Sequence, residues 1–103
     1  MDVLKKQGVA RMVSREVTIV NPSGLHLRPA GNLSQTAMRF KSDVIITFKE
    51  KTIVAKSVLN VMAAGIRCGD KIKVSCSGLD EDEALKVICE AIRSGLGEGA
   101  KTA

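Results

Sequence analysis

The chain has 103 residues, of which 45% are apolar and 26% are charged, and its formal net charge is +5. This length and balance fit one domain that buries its own core, and they argue against a disordered or fibrous protein. No apolar run approaches the roughly 20 residues of a membrane-spanning helix, and the N-terminus lacks the apolar stretch of a secretory signal, so we expect a cytoplasmic protein without membrane insertion.

The basic excess does not by itself indicate a nucleic-acid-binding protein. Residues 1–15 contain four basic side chains and one acidic side chain, so most of the excess lies in this stretch. Phe40 and Phe48 are the only aromatic residues, which leaves few stacking platforms for bases. Three cysteines without a Cys-x-x-Cys pair argue against a disulfide framework and a zinc site, and we predict no metal and no cofactor.

The first part of the chain predicts a strand and a helix after an extension. Residues 1–14 show no helical stripe and are interpreted as a flexible extension, within which Met12 is an alternative start of the protein. The β-rich segment 15–21 predicts a strand that ends at a cluster of turn residues. Pro29 suits the first turn of a helix, in which apolar residues recur at intervals of three and four up to Phe40.

The middle of the chain predicts a hairpin, a short helix and a further strand. Residues 43–48 and 52–55 have strand composition and are joined by a charged link. Ser57 is a favourable N-cap for a short helix that stops at Gly65. Residues 71–77 alternate strictly between apolar and polar side chains, which indicates a strand with one wet face.

The last helix is predicted to begin at Asp80. Asp80 can cap the helix, with Glu83 three residues later as the partner in a capping box. A broad apolar stripe follows before a series of glycines, which leaves residues 15–97 as the domain and 98–103 as a loose tail. The resulting order, βαββαβα, predicts an α+β open-faced sandwich: a four-stranded antiparallel sheet with three helices on one face.

The residues around His26, the only histidine, indicate a site for an anion. The segment Gly24-Leu25-His26-Leu27-Arg28-Pro29-Ala30 places the imidazole where the predicted helix begins. Backbone N–H groups and the helix dipole favour anions there, and the Arg28 guanidinium suits phosphate oxygens. A neutral imidazole has a nitrogen lone pair that can attack phosphorus, so His26 is a candidate nucleophile. A solvated or capping histidine is the ordinary alternative.

This segment resembles the active-site signature of the HPr family, the histidine-containing phosphocarriers of the bacterial phosphoenolpyruvate:sugar phosphotransferase system. Residues 55–62, Ala-Lys-Ser-Val-Leu-Asn-Val-Met, resemble the family's second signature, around its regulatory serine. His26 and Ser57 are 31 residues apart, which is the spacing of the family, and the similarity runs from about Arg15 through the last helix. The family's open-faced sandwich agrees with the fold predicted above.

The resemblance implies a phosphoryl carrier and not an enzyme with a turnover of its own. His26 would accept a phosphoryl group on Nδ1 from enzyme I and pass it to the IIA domains of sugar permeases during carbohydrate uptake. Arg28 would stabilise the phosphoryl group through its guanidinium, and the backbone amides of Leu27 and Arg28 would add hydrogen bonds. We expect such a carrier to act as a monomer.

Two further assignments follow from the second signature. Ser57 is explained as a helix cap, and by resemblance it is also the regulatory target of HPr kinase/phosphorylase, which links the family to a catabolite-control transcription factor. Val58, Leu59 and Met62 correspond to the family's partner-docking patch. Ordinary core packing is the alternative for these apolar side chains.

Two residues of the predicted first helix depart from the family pattern. Leu27 is bulkier than the residue usual at its position, and Gly31 replaces a usual alanine, although neither change removes a reacting atom.

An HPr-like regulator that acts mainly through phospho-Ser57 is the alternative function. A cysteine nucleophile is disfavoured because two of the three thiols fall on predicted buried faces; the candidates are Cys68, Cys76 and Cys89.

Overall fold

A four-stranded antiparallel sheet organises the fold, and the computed structural model describes residues 12–98. The elements of this part of the chain are β1 (Met12–Thr18), α1 (Leu27–Met38), β2 (Asp43–Phe48), β3 (Lys51–Val54), α2 (Val58–Ala63), β4 (Lys71–Ser77) and α3 (Glu81–Arg93). The strands lie in the order β1-β4-β2-β3, with each neighbouring pair antiparallel. The predicted α+β architecture with the order βαββαβα is confirmed.

The core lies between one face of the sheet and the helices. Along β4, Ile72 and Val74 are buried whereas Lys71 and Lys73 are exposed, as the alternation of the sequence predicts. Ser75, predicted on the wet face, is buried, where its hydroxyl pairs with that of Ser14. The helices contribute buried apolar side chains to the same cluster, and Ile88 of α3 is fully buried in it. Apolar burial of this kind is the main stabilising contribution to the fold.

The first strand begins earlier than predicted. β1 starts at Met12, so residues 12–14 belong to the sheet and not to the extension, while residues 1–11 lie outside the described part of the chain. Pairing with β4 explains the difference, since Ser14 lies opposite Ser75 and their hydroxyl oxygens are 2.8 Å apart. The strand also ends at Thr18 instead of residue 21, where the pairing with β4 stops.

The first two helices begin where their local sequences predict. Helix α1 starts at Leu27, two residues before the predicted first-turn proline, and His26 is its N-cap residue. Ser57 caps α2 as predicted, because its Oγ accepts a hydrogen bond from the backbone N–H of Asn60 at 3.2 Å.

The predicted capping box of the third helix is wrong. Asp80 occupies the N-cap position of α3, but its carboxylate makes no capping hydrogen bond. It instead accepts hydrogen bonds from the backbone N–H groups of Lys41 and Ser42, both at 2.9 Å, and from the Ser42 hydroxyl. Asp80 therefore ties the start of α3 to the loop that follows α1, and this contact between distant segments outweighs the local cap.

Replacing Asp80 with asparagine is expected to lower the free energy of unfolding at pH 7. The Ser42 hydroxyl, followed by the Lys41 and Ser42 N–H groups, lowers the pKa of Asp80 from 3.8 to about 2. The folded pKa is below the unfolded one, so the stabilisation is complete above about pH 4 and is lost as the pH falls through about 2. Urea unfolding of both proteins from pH 7 to pH 2 measures this pH-dependent stabilisation. Asp43→Asn is the control, because Asp43 lies at the exposed start of β2. Parallel curves of unfolding free energy against pH for Asp80→Asn and wild type would contradict this account.

The segment after α3 corrects the prediction of a loose tail from residue 98. The Glu98 carboxylate accepts hydrogen bonds from the backbone N–H of Ser23 at 3.2 Å and from the Ser23 hydroxyl at 2.6 Å. Sequence patterns do not reveal these contacts, because they join residues far apart in the sequence. Residues 99–103, the remainder of the predicted tail, lie outside the described part of the chain.

Candidate functional site

His26 stands at the N-terminus of α1 with its side chain exposed to solvent. Its backbone is extended, with φ −81° and ψ −168°, and its carbonyl oxygen accepts a hydrogen bond from the Ala30 N–H at 2.8 Å. The imidazole makes no capping hydrogen bond, which excludes one of the two ordinary roles of a histidine at this position. The ring is therefore accessible for chemistry beside the first turn of a helix.

A glycine with a positive φ directs the chain into this position. Gly24 has φ +68°, and a Cβ atom there would lie 2.7 Å from the Ile66 carbonyl oxygen and 2.8 Å from the Arg67 Cα. The next residue, Leu25, is buried and donates its backbone N–H to the same Ile66 oxygen at 3.0 Å. Close backbone approach thus places His26 against the loop after α2.

The contact between these loops forms a shallow cavity at the imidazole. The cavity has a volume of about 240 Å³, and His26 shares its lining with Leu25, Met62, Gly65, Ile66 and Arg67. The structure thereby brings together His26 of the first signature and Met62 of the second. It also adds an exposed cationic side chain, Arg67, which sequence analysis missed because only the folded contact brings it near His26.

The first turn of α1 offers donors to an anion on His26. The leading N–H groups of a helix, here those of Leu27 and Arg28, have no intrahelical acceptor, and the helix dipole is positive at this end. No acidic side chain lies within the first turn to compete for them. Arg28 is exposed beside these amides, so the predicted phosphate-stabilising groups all belong to one helix end.

The two departures from the family pattern lie on the same helix. The Leu27 side chain is 68% exposed, so its added bulk extends into solvent next to His26 and displaces nothing in the core. A Cβ atom on Gly31 would meet nothing within 4 Å, which means that no contact requires glycine there.

The turn before His26 is hydrogen-bonded to Glu98, a residue that follows the last helix. Asn21 is fully buried and donates its side-chain amide to the Gly24 carbonyl and, at 3.3 Å, to Glu98. Hydrogen bonds from the Ser23 hydroxyl and Ser23 N–H lower the pKa of Glu98, and the positive charge of Arg28 adds to this effect. No local motif marks Glu98, so only the folded structure reveals this contact.

Helix α2 presents apolar side chains beside the imidazole cavity. Leu59 is 78% exposed, which excludes ordinary core packing for this residue. Val58 and Met62 are half-buried and pack partly against the core. Ser57, at the start of the same helix, is also partly exposed. The four residues assigned from the second signature therefore share one short element.

Other reactive groups of the described residues do not form a competing site. Burial raises the pKa of the Cys76 thiol to about 11 and also raises the pKa of Cys89, so both stay protonated and unreactive. Cys68 is partly exposed. Within residues 12–98, no group of three or more His, Cys, Asp or Glu side chains is placed to hold a metal ion, and no helix is long and apolar enough to cross a membrane.

Comparison with known proteins identifies the relatives of this domain. A family model described as "PTS HPr component phosphorylation site" matches residues 13–94. The multiphosphoryl transfer protein of Escherichia coli O157:H7 is 37% identical over 92 residues, which are 86% of this chain. The chain spans about a quarter of that relative, since the match covers 24% of its length.

Solved structures give the same result for the fold. HPr-C-His from Thermoanaerobacter tengcongensis matches with a TM-score of 0.80 and 37% identity, over 84% of this chain and 97% of that one. Crh, a catabolite repression protein of Bacillus subtilis seen as a domain-swapped dimer, matches with a TM-score of 0.66 and 31% identity, over 81% and 95% of the two chains.

Proposed function

Because this chain belongs to the HPr family of phosphocarriers of the phosphotransferase system, we propose that His26 carries the phosphoryl group. His26 accepts it on Nδ1 from phospho-enzyme I and passes it to sugar-specific IIA domains during carbohydrate uptake. The observation that carries this proposal is the exposed imidazole at the N-terminus of α1, which makes no capping hydrogen bond. The chain acts as a carrier in the cytoplasm, with no turnover of its own.

The transfer is a displacement at phosphorus in each direction. The Nδ1 lone pair of neutral His26 forms the new P–N bond while the bond from phosphorus to the donor breaks. The backbone amides of Leu27 and Arg28 donate hydrogen bonds to the phosphoryl group, and the Arg28 guanidinium stabilises its charge. These groups lie at the surface, where water weakens each interaction, so the phosphoryl group is stabilised without being trapped.

A mass measurement with acid treatment tests this proposal. The protein is incubated with phosphoenolpyruvate and a general enzyme I, and its intact mass is recorded before and after brief acid exposure. We expect the addition of one phosphoryl group that acid removes, as for phosphohistidine. An unmodified mass for folded protein in the presence of competent enzyme I would contradict the proposal, and so would a phosphoryl group that survives acid.

The docking surface for these partners is proposed to be the apolar patch of Val58, Leu59 and Met62. Leu59 is 78% exposed, and Met62 lines the cavity beside His26, so a partner that reaches the imidazole also covers α2. Exposed apolar residues of this kind mark interaction surfaces, and methionine adapts to different partners. One patch can thus serve enzyme I and the IIA domains in turn.

Leu59→Asp is expected to slow phosphoryl transfer from enzyme I by about tenfold or more without changing stability, since hot-spot residues contribute about 2 kcal/mol or more to an interface. Initial rates at subsaturating protein give the effect. Leu79→Asp is the matched control, because Leu79 is 95% exposed and lies near Asp80, by the opposite end of α1. Equal rates for Leu59→Asp and wild type would remove α2 from the docking surface.

Regulation through Ser57 is a second proposal, supported by its partial exposure at the head of the helix that carries Leu59. Phosphorylation by HPr kinase/phosphorylase would add about −1.5 to −2 charges beside the docking patch, weaken binding to acidic partners and create a surface for a catabolite-control transcription factor. An acid-stable phosphoryl group, formed with ATP and the kinase and absent from Ser57→Ala, is the expected result. The exposed imidazole of His26 at the N-terminus of α1 favours the carrier as the main function.

A further inference from the structure

The loop after α2 is anchored on both sides of Arg67. Before it, Ile66 is buried, and its carbonyl oxygen accepts a hydrogen bond from the Leu25 N–H at 3.0 Å. After it, the carbonyl oxygen of Asp70 accepts a hydrogen bond from the N–H of Ile19, which follows β1, at 2.9 Å. The position of Arg67 is thus fixed against the turn that leads into the imidazole.

This anchoring brings Arg67 close to the candidate nucleophile. The Arg67 Cα lies so near to Gly24 that a Cβ atom added there would be only 2.8 Å from it. His26 follows Gly24 by two residues, a span of at most about 7 Å. Both His26 and Arg67 are exposed, and both line the same cavity of about 240 Å³. The Arg67 guanidinium can therefore reach an anion bound at the imidazole.

Arg28 and Arg67 approach His26 from different elements. Arg28 lies in the first turn of α1 and does not line this cavity, whereas Arg67 belongs to the loop after α2. Among the described residues that line the cavity, only Arg67 carries a fixed positive charge. Arg67 therefore adds a second cationic side chain next to the imidazole, independent of the helix end.

Positive charge continues beyond Arg67. A second cavity, of about 440 Å³, adjoins the first, and both are lined by Gly65 and Arg67. Two lysines and one carboxylate also line the second cavity: Lys49, Lys51 and Asp70. The Asp70 carboxylate accepts a hydrogen bond from the backbone N–H of Arg67 at 2.8 Å. Three cationic side chains thus outnumber one carboxylate here, so the local potential favours an anion.

We propose that Arg67 is a second phosphoryl-binding residue, whose guanidinium donates hydrogen bonds to the phosphoryl oxygens on His26. The inference rests on the proposed function of His26. A guanidinium offers paired donors that match the oxygens of a phosphoryl group. The phosphoryl group is thus held between the first turn of α1 and the loop after α2, and Arg67 stabilises the phosphorylated protein.

Arg67→Ala is expected to lower the equilibrium ratio of phosphorylated to free protein by about two- to fivefold, the range of exposed charge pairs. The ratio is measured by intact mass with enzyme I at fixed concentrations of phosphoenolpyruvate and pyruvate. A catalyst does not shift this equilibrium, so the ratio reports binding of the phosphoryl group and not docking of enzyme I. Arg39→Ala is the matched control, because it removes an exposed guanidinium at the other end of α1, roughly 20 Å from His26.

A ratio for Arg67→Ala equal to that of Arg39→Ala would overturn the inference. If this equal ratio is accompanied by slower charging from enzyme I, Arg67 contacts the partner protein and not the phosphoryl group. The comparison therefore separates phosphoryl binding from partner recognition.

Chemical phosphorylation distinguishes failure of this inference from failure of the carrier function. Phosphoramidate phosphorylates an exposed imidazole without enzyme I, because the new P–N bond forms as ammonia leaves. The Arg67 side-chain N–H resonance is expected to shift when wild type is phosphorylated and to stay in place in His26→Ala treated in the same way. If enzyme I adds no phosphoryl group, this resonance still decides whether Arg67 binds phosphohistidine, and an unchanged resonance overturns the inference.

Discussion

Replacing His26 with alanine is expected to abolish the acid-labile phosphorylation of this protein by enzyme I. The imidazole supplies the only proposed nucleophile, and neither of the buried thiols near the sheet can replace it because their pKa values are raised. The loss of acid-labile phosphate is expected to be complete within detection, since a phosphoryl group on a nearby hydroxyl, such as that of Ser23, would survive acid.

The same substitution is expected to leave the fold intact. The His26 side chain is exposed and makes no capping hydrogen bond, so its removal costs no packing and exposes no buried partner. Thermal unfolding of His26→Ala checks this, and Ser57→Ala serves as the active control. Retained acid-labile phosphate on His26→Ala would show that another residue is the acceptor.

Gly24→Ala is expected to lower the free energy of unfolding by about 2–4 kcal/mol, through a left-handed backbone and a forced contact. The backbone has φ +68°, and the new Cβ atom would lie 2.7 Å from the Ile66 carbonyl oxygen and 2.8 Å from the Arg67 Cα. Both of these neighbours are backbone atoms, which cannot relieve the contact by a change of side-chain rotamer. The loop before His26 must move instead, so phosphoryl transfer should fall as well.

Gly31→Ala is the matched control for this prediction. Gly31 lies within α1, where an alanine Cβ meets nothing within 4 Å, so the substitution is expected to stabilise the helix by about 0.5–1 kcal/mol. Urea unfolding of both variants measures the two opposite effects. A Gly24→Ala protein as stable as wild type would contradict the close approach on which the site geometry depends.

Patterns within single elements predicted most of the fold. The alternation in residues 71–77 gave β4 its correct bounds and its buried face, because side chains of a strand alternate between two environments. Ser57 marked the start of α2, since a cap depends on backbone donors only three residues away. Pro29 and the turn cluster before it located the exposed histidine at the head of α1.

Contacts between distant segments account for what the sequence could not predict. Asp80 has good capping chemistry, yet the N–H groups of Lys41 and Ser42 are better partners once the fold brings them near. Glu98 and Arg67 reach the surroundings of His26 only through the chain reversal after α3 and the loop after α2. No local periodicity or motif records such placements.

NMR of the isotope-labelled His26 imidazole tests the central claim most directly, followed first with enzyme I and phosphoenolpyruvate and then after addition of a IIA domain. The account predicts a phosphorus-coupled Nδ1 signal that appears in the first step and returns to that of free imidazole in the second. A His26 signal that stays unchanged while the protein gains phosphate, or a phosphoryl group that no IIA domain removes, would contradict the carrier function.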